Sequence, residues 1–490
     1  MKILFLNPQG NFDKTDAFWT EHPDFGGQLV YVKEIAFGLA KLGHDIDIVT
    51  RQFEDSHFHL FHETIEHYDD EHKVRIVRIP CGPKGFLNKE SLWDYLSEWV
   101  DHIISFYQVE NHKIDFITTH YGDGGLAGVM LSKKLNIPFS FTGHSLGAQK
   151  LDKLMTHSTI NQLIKTYHFG KRLLAERTAI RYARTIFVST KQEKDMQYQH
   201  HAYKDVADIQ KEKRFVIAPP GANLDMFAHN RPNQNEAQYH FALRTFIKRD
   251  IDMDRQNMPY IVCASRLDPK KNHIGLLNAY ASSTELQNTC NLAISLRGVD
   301  NAFEDISSLK PSEQALMQEL LHIIEIHHLK GKVTFLNITS QSFLAASYRF
   351  FATYKSIFTL TSLYEPFGLA PIEAMAAGLP VAVTQYGGPS EVLKGKEAYG
   401  ILLDVKDINH MVEGYLLLFK HYYFYQKQGL KRVYDTYNWL STAKVYEDAI
   451  RKALNDPLPI TIHLPQSFID PNQTIDEKAI LQTYYLDKKE

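Results

Sequence analysis

Two short stretches carry charged side chains whose types and spacing could do chemistry on a phosphorylated ligand. In EPFGLAPIEAMAAG, Glu365–Gly378, two carboxylates stand eight residues apart around a glycine turn. Glu365 falls in a loop after the expected strand Ser356–Thr359, and Glu373 falls early in a helix. Both can therefore face one ligand at the strand's carboxyl end. Pro371 suits the first turn of that helix and Gly378 its C-terminal cap. Gly368 and the amides after it can offer N–H groups to a phosphate. In SRLDPKKN, Ser265–Asn272, Arg266 and Lys271 sit at the mouth of another strand. Two cations there can neutralise a pyrophosphate, Arg as a fork and Lys as a point charge. Taken alone, the first stretch also reads as a solvated helix start, where acids suit the dipole, and the second as a basic surface turn.

Three further stretches are rich in glycine. DFGGQLVYVKEIAFGLAKLG, Asp24–Gly43, places a glycine pair before an amphipathic helix, which fits either an anion site at the helix N-terminus or an ordinary βα turn. THYGDGGLAGV, Thr119–Val129, and FTGHSLGAQK, Phe141–Lys150, each follow an expected strand of the same half. The second contains G-H-S-L-G, a formal match to the nucleophile elbow of serine hydrolases around Ser145. That reading lacks an HGGG-type oxyanion loop, and 24 histidines make the choice of a base arbitrary.

These residues need rigid elements beneath them, and the apolar periodicity supplies them. Short apolar runs at Ile3–Leu6, Ile46–Val49, Ile76–Ile79, Phe116–Thr118, Phe139–Thr142, Ile186–Ser189 and Phe215–Ala218 alternate with helix-period segments such as Gln28–Leu42. A polar stretch at 223–257 reads as a linker with a charged helix behind it. The rhythm then restarts at Tyr260–Ala264, Leu292–Leu296, Val333–Leu336, Ser356–Thr359 and Val381–Thr384. Strands separated by helices build parallel, doubly wound sheets. The expected fold class is thus α/β with two doubly wound halves on either side of a cleft, ligands sitting at the carboxyl ends of the strands. The Pro-, Asn- and Asp-rich tail from about Asn455 reads as a strap.

Composition narrows the class further. At roughly 100–200 residues per domain, 490 residues hold two to four domains. With 54 basic and 57 acidic side chains there is no field to hold a polyanion, so nucleic acid drops out as a default partner. Cys81, Cys263 and Cys290 are too few and too scattered for a disulfide framework or a metal knuckle. The opening apolar run is too short for a signal segment, and no stretch is long and apolar enough to span a membrane. The expectation is a soluble, cytoplasmic protein. The histidines of His57–His72, the pairs His200-His201 and His327-His328, and the acids Asp45-x-Asp47 and Asp252-x-Asp254 read as surface or structural groups rather than metal ligands.

Taken together, NPQGNF, TEHPDFGGQLVYVKE, KVRIVRIP, THYGDGGLAGV, TGHSLGAQK, PPGANLDMF, SRLDPKKN, LRG and EPFGLAPIEAMAAGLP resemble the retaining GT-B glycosyltransferases of the sucrose-phosphate synthase and sucrose synthase group, the bacterial sucrose-phosphate synthases in particular. The resemblance runs through nearly the whole chain. It implies two Rossmann-like domains closing over a nucleotide sugar: an acceptor-binding domain, 1–227, completed by 445–490, and a nucleotide-sugar-binding domain, 228–444.

Carried over residue by residue, the resemblance puts Glu373 on the ribose hydroxyls and Arg266 with Lys271 on the diphosphate. Glu365 and the backbone of Phe367, Gly368 and Leu369 surround the donor sugar and phosphates. Gly26, Gly27 and Gln28 form a loop shared by donor and acceptor. Lys89, Tyr121, Ser145, Lys150 and Arg172 form a fructose 6-phosphate pocket, with His144 beside the reacting carbon. Several cations and hydroxyls around one phosphate suit a dianionic acceptor, whose burial unpaired would be costly. The catalytic group is then His144, Glu365, Arg266 and Lys271.

The implied reaction joins UDP-glucose and fructose 6-phosphate into sucrose 6-phosphate. No resident metal or other cofactor is required by the layout, and a divalent cation such as magnesium enters only as a stimulant. The sequence departs from the family at TQYGGP, Thr384–Pro389, where a basic residue and Asn usually precede the glycines, and at FLNITSQ, Phe335–Gln341, which lacks a common proline. Both departures lie on the nucleotide side, so UDP, ADP and GDP stay open as donor bases, and GDP-mannose or free fructose as substrates. Asp45–Val49 opens a strand where the phosphatase Asp-x-Asp site closes one, so a separate sucrose-phosphate phosphatase is expected downstream. Two readings from other classes remain beside this one: a serine hydrolase on Ser145 and an inactive nucleotide-sugar sensor.

Overall fold

The computed structural model describes all residues except 11, 15–26, 55–58, 69–72, 157, 208–212, 457–460, 471–472 and 488–490. The chain forms two compact units, Met1–Pro219 with Thr442–Glu490, and Pro220–Ser441.

The first unit is built on an eight-stranded sheet: β1 (Lys2–Leu6), β2 (Asp45–Gln52), β3 (Ile65–His67), β4 (Val74–Pro80), β5 (Phe116–His120), β6 (Phe139–Thr142), β7 (Thr185–Val188) and β8 (Phe215–Ile217). Their order is β3-β4-β2-β1-β5-β6-β7-β8. Every pairing is parallel except β3 with β4. Strands such as FSFT and TIFV are buried at every position, as expected when helices cover both faces. β1 lies between β2 and β5, with Ile3 opposite both Ile46 and Phe116. The strand order reverses there, which places ligand sites after β1 and β5.

The second unit repeats the plan with β9 (Tyr260–Ala264), β10 (Asn291–Leu296), β11 (Val333–Asn337), β12 (Ile357–Leu360), β13 (Val381–Thr384) and β14 (Ile401–Leu403), ordered β11-β10-β9-β12-β13-β14 and wholly parallel. Alternate residues of β9 enter different cores: Ile261 and Cys263 join one cluster, Tyr260 and Val262 the other. That is the period-two signature of a sheet covered on both sides. Its reversal point lies between β9 and β12, the strands that carry SRLDPKKN and EPFGLAP.

Three features differ from the sequence reading. The 223–257 stretch is part of the second unit rather than a linker. Its helix Glu236–Asp250 buries Leu243 and Ile247, and Asp250 accepts hydrogen bonds from Thr334 Oγ1 and the Phe335 amide at 2.8 and 3.2 Å. The unit boundaries fall at 219/220 and 441/442, where the sequence reading put 227/228 and 444/445. Ala222 donates its amide to Tyr437 O at 2.8 Å and Phe227 sits in the second unit's core, whereas Thr442 Oγ1 donates to Pro219 O at 2.6 Å. Finally, β3 and β14 add edge strands of three residues each, too short to read from periodicity.

The tail packs on the first unit. Phe468 lies against Trp93, the Glu477 carboxylate accepts from the Gly170 and Lys171 amides, and Tyr485 donates to Asp152.

Candidate functional site

In the second unit, β12 leads straight into the loop that carries Glu365. Asp268 caps the short turn Pro269–Lys271 by accepting from the Lys270 amide at 2.9 Å. Thr361 Oγ1 donates to Lys271 O at 3.0 Å, and the Leu363 amide to Lys270 O at 2.9 Å. The SRLDPKKN turn is thereby stapled to the end of β12. Lys271 Nζ reaches Glu365 Oε2 at 2.5 Å, and Ser362 Oγ donates to the same oxygen at 3.1 Å. Two residues read from separate motifs thus form one charged pair.

The Glu365 backbone is fixed by the glycines of TQYGGP. Glu365 N donates to Tyr386 O at 3.0 Å, and Gly388 N donates to Glu365 O at 2.9 Å. A Cβ at Gly387, where φ is +113°, would lie 1.9 Å from Glu365 O, so only glycine fits. Gly368, with φ 82°, precedes the helix Leu369–Ala376, and Phe367 and Leu369 are half-buried beside it. Glu373 lies half-buried in the second turn of that helix. Arg266 is exposed and makes no ion pair among the described residues.

In the first unit, β5 and β6 end side by side. Tyr121, directly after β5, and His144, two residues after β6, both adopt left-handed backbone, φ 62° and 53°. Their rings lie 5.3 Å apart, and the Tyr31 ring meets His144 edge-on at 5.2 Å. Behind them, buried His120 meets His144 edge to edge and shares a hydrogen bond with it, Nδ1 to Nε2, at 2.9 Å. Burial pushes both imidazoles toward the neutral form, His120 well below its ordinary range and His144 to about 3.

Arg172 is brought to the same end of the sheet. Its guanidinium donates to the Ser145 carbonyl and, through Nε, to Glu176 Oε1 at 2.8 Å. Glu176 is buried; it also accepts from the Gly147 amide and the Tyr203 hydroxyl, so it locks the start of the Gly147–Leu154 helix to Arg172. Burial alone would lower the guanidinium pKa, but the Glu176 carboxylate holds it above its ordinary value. Nearby Asp123 is buried, and that burial pushes its carboxyl up to about 6 against the Gly124 and Asp123 amides and the charges of Arg172 and Lys89. Lys89 is half-exposed at the head of the Lys89–Leu92 helix. Lys150 lies over the Tyr167 ring, 5.1 Å from its centroid. Gln28, second residue of the Gly27–Lys41 helix, donates to Asn7 Oδ1 at 2.5 Å. Gly26 lies outside the described residues, as do parts of the His57–His72 stretch.

The serine-elbow reading fails on geometry. The strained residue is His144, not Ser145, and no histidine is hydrogen-bonded to the Ser145 hydroxyl among the described residues. Ser145 is itself exposed. Sequence reasoning missed His120, Asp123 and Glu176. The first two stand inside THYGDGG, and Glu176 lies one helical turn beyond Arg172, a spacing that pairs side chains. Asp47, half of a weakly considered metal pair, is instead buried against Lys2 and Arg75. Among the described residues no group of three His, Cys, Asp or Glu could hold a metal, and no helix is long and apolar enough to cross a membrane.

Residues 247–429 match the family described as Glycosyl transferases group 1, and residues 25–209 match Glycosyltransferase Family 4. A probable sucrose-phosphate synthase of Thermosipho melanesiensis is 44% identical over 92% of this chain and 97% of its own length. A probable sucrose-phosphate synthase 1 of Oryza sativa is 30% identical over 86% of this chain but only 44% of its own, so the chain spans under half of that relative. Among solved structures, the sucrose-phosphate synthase of Thermosynechococcus elongatus superposes with a TM-score of 0.62 at 22% identity, covering 92% of this chain and 98% of that one. Fold and site together define a glycosyltransferase of the GT-B class. Within that class, the chain belongs to the sucrose-phosphate synthase family.

Proposed function

We propose that the chain transfers glucose from UDP-glucose to fructose 6-phosphate, giving sucrose 6-phosphate and UDP with retention at the anomeric carbon. The observation that carries the donor half is the Lys271–Glu365 pair at the head of the Gly368 turn, which sets a cation and a carboxylate where diphosphate and sugar hydroxyls would meet. The acceptor half is supported by Arg172, held by Glu176 at the Ser145 carbonyl, with Lys89 and Lys150 on neighbouring segments. Glu373 takes the ribose hydroxyls, and the backbone of Phe367–Leu369 the donor phosphates.

In this reading the leaving UDP phosphate helps deprotonate the acceptor hydroxyl on the front face of the sugar. Arg266 and Lys271 take up charge as the pyrophosphate departs, so catalysis rests on positioning and electrostatics rather than on a covalent intermediate or a resident metal. Both substrates are charged and do not cross a membrane unaided, which supports a cytoplasmic reaction. A phosphatase acting on the sugar phosphate would follow.

A nucleotide-release assay over UDP-, ADP- and GDP-glucose and GDP-mannose, each with fructose 6-phosphate or fructose, tests the reading. UDP release with the UDP-glucose and fructose 6-phosphate pair, well above every other combination, is expected. Preference for another donor base or equal use of fructose overturns the substrate assignment, and binding without release in any combination marks a sensor.

A further inference from the structure

Exactly which nitrogen of His144 carries its proton follows from the residue behind it. The Nδ1 of His120 and the Nε2 of His144 lie 2.9 Å apart, so one of them holds the single hydrogen between the two neutral rings. The other nitrogen of His120, Nε2, is buried and has no hydrogen-bond partner. If His144 were the donor, the His120 proton would sit on that Nε2, burying an N–H with no acceptor. An orphaned buried N–H is among the rarest features of folded proteins, and a bare ring nitrogen asks for less. The hydrogen therefore belongs to His120 Nδ1, and His144 Nε2 accepts it.

We propose that His120 is a positioning residue that fixes the tautomer of His144, leaving His144 protonated on Nδ1 and offering that N–H to an oxygen of the transferred sugar. The ring planes support the assignment. His120 lies nearly parallel to Phe5, with centroids 5.6 Å apart and planes 12° apart, and meets His144 edge to edge, at 5.1 Å and 22°, as an in-plane hydrogen bond between rings requires, while Tyr31 packs edge-on against both histidines. A 180° flip of either ring would keep its plane but put a carbon where the bonded nitrogen stands, losing the hydrogen bond between the two histidines. Burial keeps both rings neutral near neutral pH, so His144 acts as a hydrogen-bond donor and transfers no proton. Among the described residues, Nδ1 of His144 makes no other hydrogen bond, which leaves it for a ligand. The tautomer stands on structure alone; its role toward the sugar rests on the proposed function.

Long-range proton–nitrogen spectra of the full chain carrying ring-15N histidine test the tautomer, with His144→Gln and His120→Asn used to assign the two rings. His144 protonated on Nδ1 and bare on Nε2 is expected at pH 7; protonation on Nε2, or a charged ring, overturns the proposal. Kinetics test the role. His120→Phe keeps an aromatic ring against Phe5 and removes the donor, and kcat with UDP-glucose and fructose 6-phosphate should fall about tenfold while the acceptor KM changes less than about twofold. His120→Asn, whose amide N–H stands near the place of Nδ1–H, should recover part of that loss. Equal losses in the two folded variants, or none in His120→Phe, overturn the positioning role. If the parent protein does not turn over this substrate pair, the functional reading has failed and the spectra alone decide the tautomer.

Discussion

Lys271 Nζ and Glu365 Oε2 lie 2.5 Å apart although 94 residues separate them in sequence. The pair forms because the SRLDPKKN turn hangs on the end of β12 through Thr361 and Leu363. A leaving diphosphate would compete with Glu365 for that ammonium, so the Lys271 charge matters most as the bond breaks. Lys271→Ala should lower kcat by ~100-fold or more while weakening UDP binding less than tenfold. Steady-state kinetics with calorimetry decide it: an unchanged kcat with only a raised donor KM would reduce Lys271 to a binding group.

Glu373 in the Leu369–Ala376 helix is assigned to the ribose. A carboxylate bridging two hydroxyls makes charge-assisted hydrogen bonds worth roughly 1.5–3 kcal/mol each, so Glu373→Ala should weaken UDP by at least ~10-fold. Calorimetric affinity within about twofold of the parent rules the assignment out.

For the acceptor phosphate the test is selectivity. Arg172→Ala and Lys150→Ala should raise the fructose 6-phosphate KM by roughly ten- to a thousandfold, because a dianion loses a close cation. Any weak turnover of free fructose should hardly change. Equal losses on both acceptors, or effects erased by moderate salt, would make these cations general surface charges.

Asp123 makes a pH prediction. Its carboxyl stands at about 6 in the folded protein against 3.8 unperturbed. Between those values the unfolded chain has released a proton that the folded protein keeps, so this group's contribution to stability falls as pH rises through the window and stays low above it. Asp123→Asn should therefore stabilise the protein by roughly 1–3 kcal/mol at pH 8 and confer no gain near pH 4. Thermal melts at the two pH values check this, and a gain of equal size at both would sink the explanation.

Metal dependence follows from the placement of Arg266 and Lys271. Activity should survive dialysis against EDTA, with magnesium acting as a stimulant. Complete loss restored by magnesium would put a divalent cation in the role given to the two side chains.

The sheets were legible because parallel strands buried on both faces read as short apolar runs. FSFT, YIVCA and VAVT occupy Phe139–Thr142, Tyr260–Ala264 and Val381–Thr384, as the periodicity predicts. The phosphate-type motifs were legible for a related reason. Gly368 at φ 82° and Gly387 at φ +113° stand where a side chain would strain or collide, so the chain has to spell them locally. The edge strands β3 and β14 escaped because three residues carry too little pattern; the charged helix Glu236–Asp250 was expected, but its place in the second unit was not, because few of its residues are buried.

What the sequence alone determined, then, was the α/β class, the two-part organisation and the local chemistry of each motif. Tertiary structure decided the partnerships. Glu365 meets Lys271 across 94 residues, Glu176 closes on the Gly147 amide across 29, and His120 meets His144 across 24. Each joins turns at the ends of strands or on separate helices. Periodicity fixes which face of an element is buried, but the strand order sets which turns become neighbours, and that order depends on the packing of the whole sheet. Burial then does what no local pattern encodes: it raises Asp123, keeps His120 and His144 neutral, and leaves Nε2 of His120 without a hydrogen-bond partner.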